Sequence, residues 1–189
     1  HEPGKTAPDK YQLKYTFHDE SQLTVKFWWF GYAHLAPNGG LESHKMTATL
    51  GISPVDPAEY SREKFFSLLQ RRRGGIKSFL MDQKHIAGIG NVYIQDILFS
   101  AKLHPLQKIE KLSDGDKERL FEAIGQILGK AVEMGGIAYE KDLYGNPGKI
   151  RHFLVGYREG KPCPECGAAI EKIKTGSTAS FICPACQRL

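Results

Sequence analysis

The fold is decided by the stretch MDQKHIAGIGNVYIQDILFSAKLHP, residues Met81–Pro105. It contains a short basic lead-in, a Gly-X-Gly-Asn turn, an amphipathic segment and a His-Pro stop. The glycines allow a tight turn with positive φ, and Asn91 then begins a helix predicted over 92–102. Unpaired N–H groups at a helix start bind phosphate readily, and Lys84 adds a positive charge nearby. The stretch therefore predicts either a phosphate-binding turn or an ordinary capped turn in a helical bundle.

Helices on both sides complete the predicted bundle. A short helix over 76–83 is predicted before the turn, with Lys77 and Lys84 on its outer side. A long helix is predicted after the turn, because Ser113 and Asp116 have the spacing of a capping box. The apolar residues of this long helix recur at helical spacing, so we expect it to be a packing element rather than a site.

The first fifty residues have the alternation of β-strands. Apolar side chains occupy every second position over 11–17 and again over 23–29, which predicts an antiparallel hairpin with one face turned inward. The aromatic run 27–31 has two interpretations, plain core or a wedge in which Phe30 enters a base stack. Two prolines within 51–58 favour a linker, so a domain boundary is predicted just before it.

The last 27 residues hold all four cysteines, as two CxxC pairs separated by sixteen residues. The predicted metal ligands are Cys163, Cys166, Cys183 and Cys186. CxxC spacing brings two thiolates to one metal, and two such pairs complete a tetrahedral site. Four sulfur ligands favour one zinc ion, with iron as the alternative, and the filled ligand set makes the metal structural. Strands predicted over 170–174 and 179–182 make this segment a metal-clamped β-hairpin.

The charge distribution favours an anionic partner. The chain has 189 residues and a formal net charge of +5, with 41% hydrophobic and 25% charged residues, which is typical of a globular protein. Basic residues outnumber acidic ones by seven to three over 70–110 and by eight to four over 141–189.

No apolar run approaches the ~20 residues that span a bilayer. No secretory signal is recognisable, which favours reduced cysteines and hence the metal.

Six segments follow one another in a distinctive order. They are Lys77–Lys84, Ala87–Tyr93, Leu98-Phe99, His104-Pro105, Arg158–Cys163 and Cys183–Gln187. Together they resemble the formamidopyrimidine-DNA glycosylase and endonuclease VIII family, closely over about 50–189 and loosely over 1–49. The resemblance implies an α+β fold with part of an antiparallel β-sandwich, a helix–two-turn–helix bundle and a four-cysteine zinc-finger β-hairpin. It also implies excision of oxidised, flipped-out bases and cleavage of the abasic site, through an N-terminal proline nucleophile and an adjacent glutamate.

The resemblance further implies contacts with DNA. Lys84 and Asn91 match the family's phosphate-contacting lysine and asparagine. The remaining candidates are Gly90, Lys77, Phe30, Lys174 and Thr178. Two departures from the family pattern indicate a divergent subfamily. Thr178 stands where the family has a phosphate-gripping arginine, and the nearest basic residue is Lys174. Trp28-Trp29 stand where the family has arginines that read the base opposite the lesion.

The chain is expected to be the DNA-binding region of a base-excision-repair glycosylase and abasic-site lyase. It begins with His1-Glu2-Pro3 rather than the family's Pro-Glu start, so we expect it to be inactive alone. The alternatives are a non-catalytic damaged-DNA-binding protein and, less favoured, a zinc-ribbon module for RNA or protein. The expected domains are a β-sandwich part (1–50), a helical domain (51–157) and a zinc-finger hairpin (158–189). The expected partner is double-stranded DNA, damaged or abasic, bound by a monomer in the bacterial cytoplasm at the nucleoid, with no membrane.

Overall fold

The structure has the mixed α+β fold that the sequence predicts. It is a computed structural model, and it describes residues 1–27, 33–40, 44–45 and 47–189. The chain divides into two compact units, His1–Ser43 and His44–Leu189. Each unit has its own antiparallel hairpin, and the helices belong to the second unit.

The first unit contains the predicted hairpin. Strand β1 (Leu13–Thr16) pairs antiparallel with β2 (Gln22–Val25). The face that was predicted to turn inward is not buried, because Tyr15 and Phe17 are 42% and 53% exposed. A two-stranded hairpin has no second layer of its own that could cover such a face.

The second unit combines helices with a second hairpin. Its elements are α1 (Arg62–Leu69), α2 (Ile76–Leu80), α3 (Ile94–Ser100), a 3₁₀ turn (Ile109–Lys111), α4 (Asp114–Glu133), β3 (Glu171–Thr175) and β4 (Thr178–Ile182). The strands pair antiparallel within one residue of their predicted bounds, so the predicted hairpin is confirmed. Within the described part of the chain, no helix is both long and apolar enough to cross a membrane.

Helix α4 begins at its predicted cap. The Ser113 hydroxyl accepts a hydrogen bond from the Asp116 backbone N–H (3.1 Å), and the Asp116 carboxylate accepts one from the Ser113 N–H (2.9 Å). This reciprocal pair satisfies two backbone donors that the helix itself leaves unpaired. The apolar stripe of α4, which includes Leu120 and Ile124, packs into the helical core as predicted.

Helix α3 is the centre of the second unit. Residues 94–99 are all buried, because α2, α4 and β4 contact the helix from different sides. Leu98 joins the helical core, whereas Phe99 joins the core of the hairpin. The helix is shorter than the predicted 92–102, since residues 91–93 form turns before it starts.

Residues 51–58 are not the free linker that their prolines suggested. The Gly51 N–H donates to the Gln83 carbonyl (2.8 Å), which ties the segment to the loop after α2. The approach is so close that a Cβ on Gly51 would lie 2.2 Å from the His85 carbonyl oxygen. The start of this segment is therefore part of the helical unit, and only glycine fits at the contact.

Lys77 lies between α2 and the hairpin, so the prediction that it points outward is wrong. The residue is only 4% exposed. Its Nζ is within hydrogen-bond distance of four oxygens near the hairpin tip: Thr175 Oγ1 (3.1 Å), Thr178 Oγ1 (2.9 Å), the Ala179 carbonyl (2.9 Å) and Ser180 Oγ (2.8 Å). These oxygens replace the water that an ammonium group loses on burial. Among the described residues, no carboxylate forms an ion pair with Lys77.

Two adjacent polar side chains of α3 hold the remaining parts of the unit in place. Gln95 accepts from the Phe181 N–H (3.1 Å) and donates to the Ala179 carbonyl (3.3 Å), which fixes β4 to the helix. The Asp96 carboxylate accepts three consecutive backbone N–H groups: Leu154 (2.7 Å), Val155 (2.9 Å) and Gly156 (3.0 Å). Both side chains are buried, and these bonds replace the water that they lose.

The pH dependence of stability tests the burial of Lys77. Burial disfavours the charged ammonium and lowers the pKa of Lys77 from 10.5 to about 8. Between these two values the unfolded chain binds more protons than the folded one, so the free energy of unfolding should rise with pH through this window. Below pH 8 the lysine is protonated in both states and adds no pH dependence. Urea unfolding across the window measures the effect.

Lys77→Met keeps most of the side-chain volume but cannot titrate, so it should remove that part of the rise. Lys84→Met is the matched control, because Lys84 is exposed, and it should leave the rise unchanged. An identical pH profile for Lys77→Met and the natural chain would contradict the buried, partly neutralised lysine.

Candidate nucleic-acid interface and metal centre

The four cysteines converge on one point, as predicted. Their Sγ atoms all lie within 4.8 Å of one another, with Cys163 and Cys186 at 4.0 Å and Cys166 and Cys183 at 3.4 Å. A tetrahedral zinc ion with Zn–S bonds of about 2.3 Å has sulfur–sulfur edges of about 3.8 Å. The cysteines therefore fit zinc. All four ligands are protein sulfurs, so the metal would stabilise the hairpin and leave no open position for chemistry.

The local backbone favours the thiolate form of one of the four cysteines. Burial raises the pKa of the Cys163 thiol, but the N–H groups of Cys166 and Glu165, together with hydrogen bonds from the Cys183 and Cys166 side chains, lower it to about 7. The thiolate that results is the form that binds metals. Burial raises the pKa of Cys183 and of Cys186. Gln187 ties the centre to the helices, because it accepts from the Cys183 N–H (3.0 Å) and donates to the Leu103 carbonyl (2.8 Å).

The glycine turn is closed by the side chain of Gln83. Its amide oxygen accepts from the Gly88 N–H (2.8 Å), and its amide nitrogen donates to the Ile89 carbonyl (2.9 Å). Gly88 has a φ of 88°, in the left-handed region that favours glycine. Ile89 is buried, whereas Gly90 and Lys84 are exposed. The turn therefore presents a lysine side chain and a glycine backbone to solvent on a rigid loop.

Asn91 is oriented by the helix that follows it. Its Oδ1 accepts a hydrogen bond from the Gln95 amide (3.1 Å), and the same amide donates to Ala179 on β4. Within the part of the chain that the structure describes, Asn91 Nδ2 has no hydrogen-bond partner and remains available as a donor. A single glutamine thus fixes the predicted phosphate contact and the hairpin in one arrangement.

Thr178 and Lys174 lie on opposite faces of the hairpin. Thr178 pairs with Thr175, and Lys174 pairs with Ala179, and neighbouring pairs point to opposite sides of a sheet. The Thr178 hydroxyl faces α2 and accepts from Lys77, whereas Lys174 is exposed on the other face. Lys174 therefore cannot occupy the place of the arginine that the family resemblance implies at position 178.

The structure brings only some of the predicted contacts together. Lys84, Gly90 and Asn91 lie on one turn, Lys174 and Thr178 lie at the hairpin tip, and Lys77 lies beneath the tip rather than on the surface. Phe30 falls outside the described residues. Sequence analysis missed the three glutamines that position these groups, Gln83, Gln95 and Gln187. Only Gln95 carried a sequence signal, because it stands within the apolar residues of the α3 stretch.

Two protein-family models match the chain over these parts. The formamidopyrimidine-DNA glycosylase H2TH domain matches residues 50–142, and the zinc finger found in FPG and IleRS matches residues 160–189. The first match contains the glycine turn, and the second contains the four cysteines. The glycine turn and the four cysteines, on which the family resemblance rests, therefore lie in two recognised domains.

Whole-protein relatives match both domains together. The formamidopyrimidine-DNA glycosylase of Pelotomaculum thermopropionicum is 37% identical over 163 residues, which are 85% of this chain and 59% of that protein. The formamidopyrimidine-DNA glycosylase of Oceanobacillus iheyensis is 32% identical over 191 residues, which are 99% of this chain and 68% of that protein. The chain therefore spans about three fifths of the length of the first relative and two thirds of the second.

The fold is also that of a solved structure. The structure of MutM in complex with carbocyclic 8-oxo-G containing DNA matches 100% of this chain and 70% of its own, with a TM-score of 0.86 and 27% sequence identity. Domain matches, sequence identity and backbone geometry agree with the order of motifs along the sequence. The chain belongs to the formamidopyrimidine-DNA glycosylase family.

Proposed function

We propose that this chain is the DNA-binding region of a base-excision-repair glycosylase and abasic-site lyase that acts on oxidised bases. The observation that carries the proposal is the Gln95 bridge. Its amide holds Asn91 at the glycine turn and Ala179 on the hairpin at the same time. Two DNA-binding parts that keep one fixed spacing suit a rigid duplex, because little freedom is lost when both bind. The relative solved with 8-oxo-G containing DNA supports damaged DNA as the ligand.

The proposed contacts with DNA are of different chemical kinds: charged, hydrogen-bonding and stacking. Lys84 supplies an exposed positive charge, and Asn91 Nδ2 supplies a fixed hydrogen-bond donor, both for phosphate oxygens. Exposed Gly90 lets a phosphate approach the backbone, and exposed Lys174 adds charge at the hairpin tip. Phe30 is proposed as the wedge that enters the base stack. Lys77 no longer supports a direct contact with phosphate, because its ammonium is enclosed by the tip.

The proposal separates binding from chemistry. Schiff-base formation needs a free secondary amine, as the family's N-terminal proline provides. Pro3 is internal, and its nitrogen belongs to an amide, so it cannot act as that nucleophile. We therefore propose that these 189 residues bind damaged DNA without excising the base, and that the parent enzyme supplies the nucleophile. The division into a β-sandwich part (1–50), a helical domain (51–157) and a zinc-finger hairpin (158–189) belongs to this proposal.

A non-catalytic damaged-DNA-binding protein is the second candidate. It is favoured by Thr178, because a threonine stands where the family carries an arginine, and Lys77, the cation that contacts this threonine, is buried rather than exposed. Both candidates place the protein with bacterial DNA, in the cytoplasm at the nucleoid, and both are proposed to bind DNA as a monomer. The zinc-ribbon module for RNA or protein is disfavoured, because the second unit carries the glycosylase H2TH domain as well.

Binding to an abasic-site duplex tests the two phosphate contacts. Lys84→Ala should weaken binding roughly tenfold and lower the slope of log affinity against log salt by about one unit, because one phosphate contact is lost. Asn91→Ala should weaken binding by a similar factor with little change in slope, since its amide is neutral. Fluorescence anisotropy over a range of salt concentrations measures both quantities.

Lys117→Ala provides the matched control for Lys84→Ala. Lys117 already forms an ion pair with Asp114 (2.8 Å), so its removal should leave the salt slope unchanged. A Lys84→Ala slope equal to that of the natural chain would exclude Lys84 as a phosphate contact.

Borohydride trapping on abasic DNA separates the two candidate functions. The parent protein should form a covalent adduct, because reduction traps a Schiff base between a free amine and the opened sugar. The 189-residue chain should form none while still binding the same duplex. Gel electrophoresis of labelled DNA shows the adduct directly. Absence of an adduct with the parent protein would favour the non-catalytic binder.

Metal analysis tests the cysteine centre. One zinc ion should be found per chain, and Cys163→Ser should lower the occupancy sharply, since the four-sulfur set is broken. Metal removal by a strong chelator should abolish duplex binding yet leave the helical circular-dichroism signal largely intact, because α4 and its core do not contain the metal ligands. Chains freshly purified without zinc that bind DNA normally would rule out the structural role.

A further inference from the structure

Tyr157 has a strained backbone and an exposed ring. Its φ is 58°, a left-handed conformation that bulky side chains rarely adopt, and the residue is 52% exposed. The preceding backbone is fixed by the three hydrogen bonds that Leu154–Gly156 donate to Asp96. Strain of this kind persists where the surroundings enforce it and clusters at functional sites. A glycine here would relieve the strain, yet the chain places a tyrosine at the surface.

The Tyr157 ring is the exposed end of a supported aromatic row. Its centroid lies 5.2 Å from that of Phe181 on β4 and 5.8 Å from that of Phe153. The Phe153 ring in turn lies 6.4 Å from Tyr93, which follows the glycine turn by two residues. Phe181 is buried, so the exposed ring is held from beneath by the hairpin core. The row connects the two parts of the molecule that are proposed to bind DNA.

Positive charge surrounds the same ring. An open pocket of about 510 Å³ is lined by Tyr157 together with three cations, one carboxylate and a histidine: Arg151, Arg158, Lys161, Glu159 and His152. The Arg158 guanidinium donates to the Leu154 carbonyl (2.6 Å), and in the described part of the chain none of the three cations forms an ion pair. The pocket therefore combines an exposed aromatic surface with a net positive charge.

We propose that Tyr157 and this pocket form a stacking site for a base of single-stranded DNA. A nucleobase would stack on the exposed ring, and the phosphates on either side would meet Arg151 and Lys161. Exposed aromatic rings among cations are the features that bind single strands without sequence preference. The inference rests on DNA as the ligand of the proposed function and adds an unpaired strand to the duplex.

Anisotropy with a fluorescein-labelled oligothymidine at low salt tests the site in the full chain. Tyr157→Phe keeps the ring and should bind the oligonucleotide as the natural chain does. Tyr157→Gly removes the ring and should weaken binding by about 5- to 150-fold, the range that one stacked base supplies. Tyr157→Gly relieves the left-handed strain but loses the contacts of the ring with Phe181 and Phe153, so its melting temperature is measured to confirm that the variant is folded. A loss of binding can then be assigned to the ring rather than to misfolding.

Several results would overturn the stacking site. The first is that the natural chain does not bind the oligonucleotide, and the second is that Tyr157→Gly binds it unchanged. The third is that the natural chain binds poly-L-glutamate, which offers charge without bases, as tightly as the oligonucleotide. If Tyr157→Gly does not fold, Tyr157→Asn replaces it, because asparagine tolerates the same φ. The abasic duplex is measured in parallel to separate the two proposals. One outcome would support the stacking site and contradict the proposed function. In that outcome the natural chain binds the oligonucleotide but not the abasic duplex, and Tyr157→Gly loses the binding of the oligonucleotide.

Discussion

The second unit depends on two adjacent buried side chains of α3, Gln95 and Asp96. A buried carboxylate without partners would cost several kcal/mol, so the segment that carries Leu154–Gly156 has to close on Asp96. The buried amide of Gln95 has the same requirement, and β4 satisfies it. The helix has only seven residues and could not persist through its own propensity. Packing and these hydrogen bonds stabilise the helix. The helix in turn sets the positions of the glycine turn and the hairpin.

The hairpin is fastened to the helices at both ends. At its base, the cysteine centre is tied to the helical core through Gln187. At its tip, the ammonium of Lys77 donates hydrogen bonds to hydroxyl groups of β3 and β4. Between the two ends, Phe181 packs in one core with Phe99 of α3. A hairpin of this size has too little core to fold alone, so these attachments make it a fixed part of the second unit.

Sequence reasoning succeeded where a local pattern carries the structure. The cysteine spacing, the Ser113–Asp116 cap and the glycines of the turn each act over a few residues, and each is confirmed. It failed where a partner lies far away in the chain. Lys77 looked like a surface lysine on a short helix, because its oxygen partners come 98 or more residues later. The prolines of 51–58 suggested a linker, since nothing local reveals the close backbone contact of Gly51.

The buried position of Lys77 gives the hairpin tip an internal electric field instead of a surface charge. Mobile ions cannot approach an enclosed ammonium, so its attraction for an anion near the tip is screened far less by salt than that of exposed Lys84 or Lys174. The tip therefore has a positive field from within, without the directional hydrogen bonds that a guanidinium at position 178 would give.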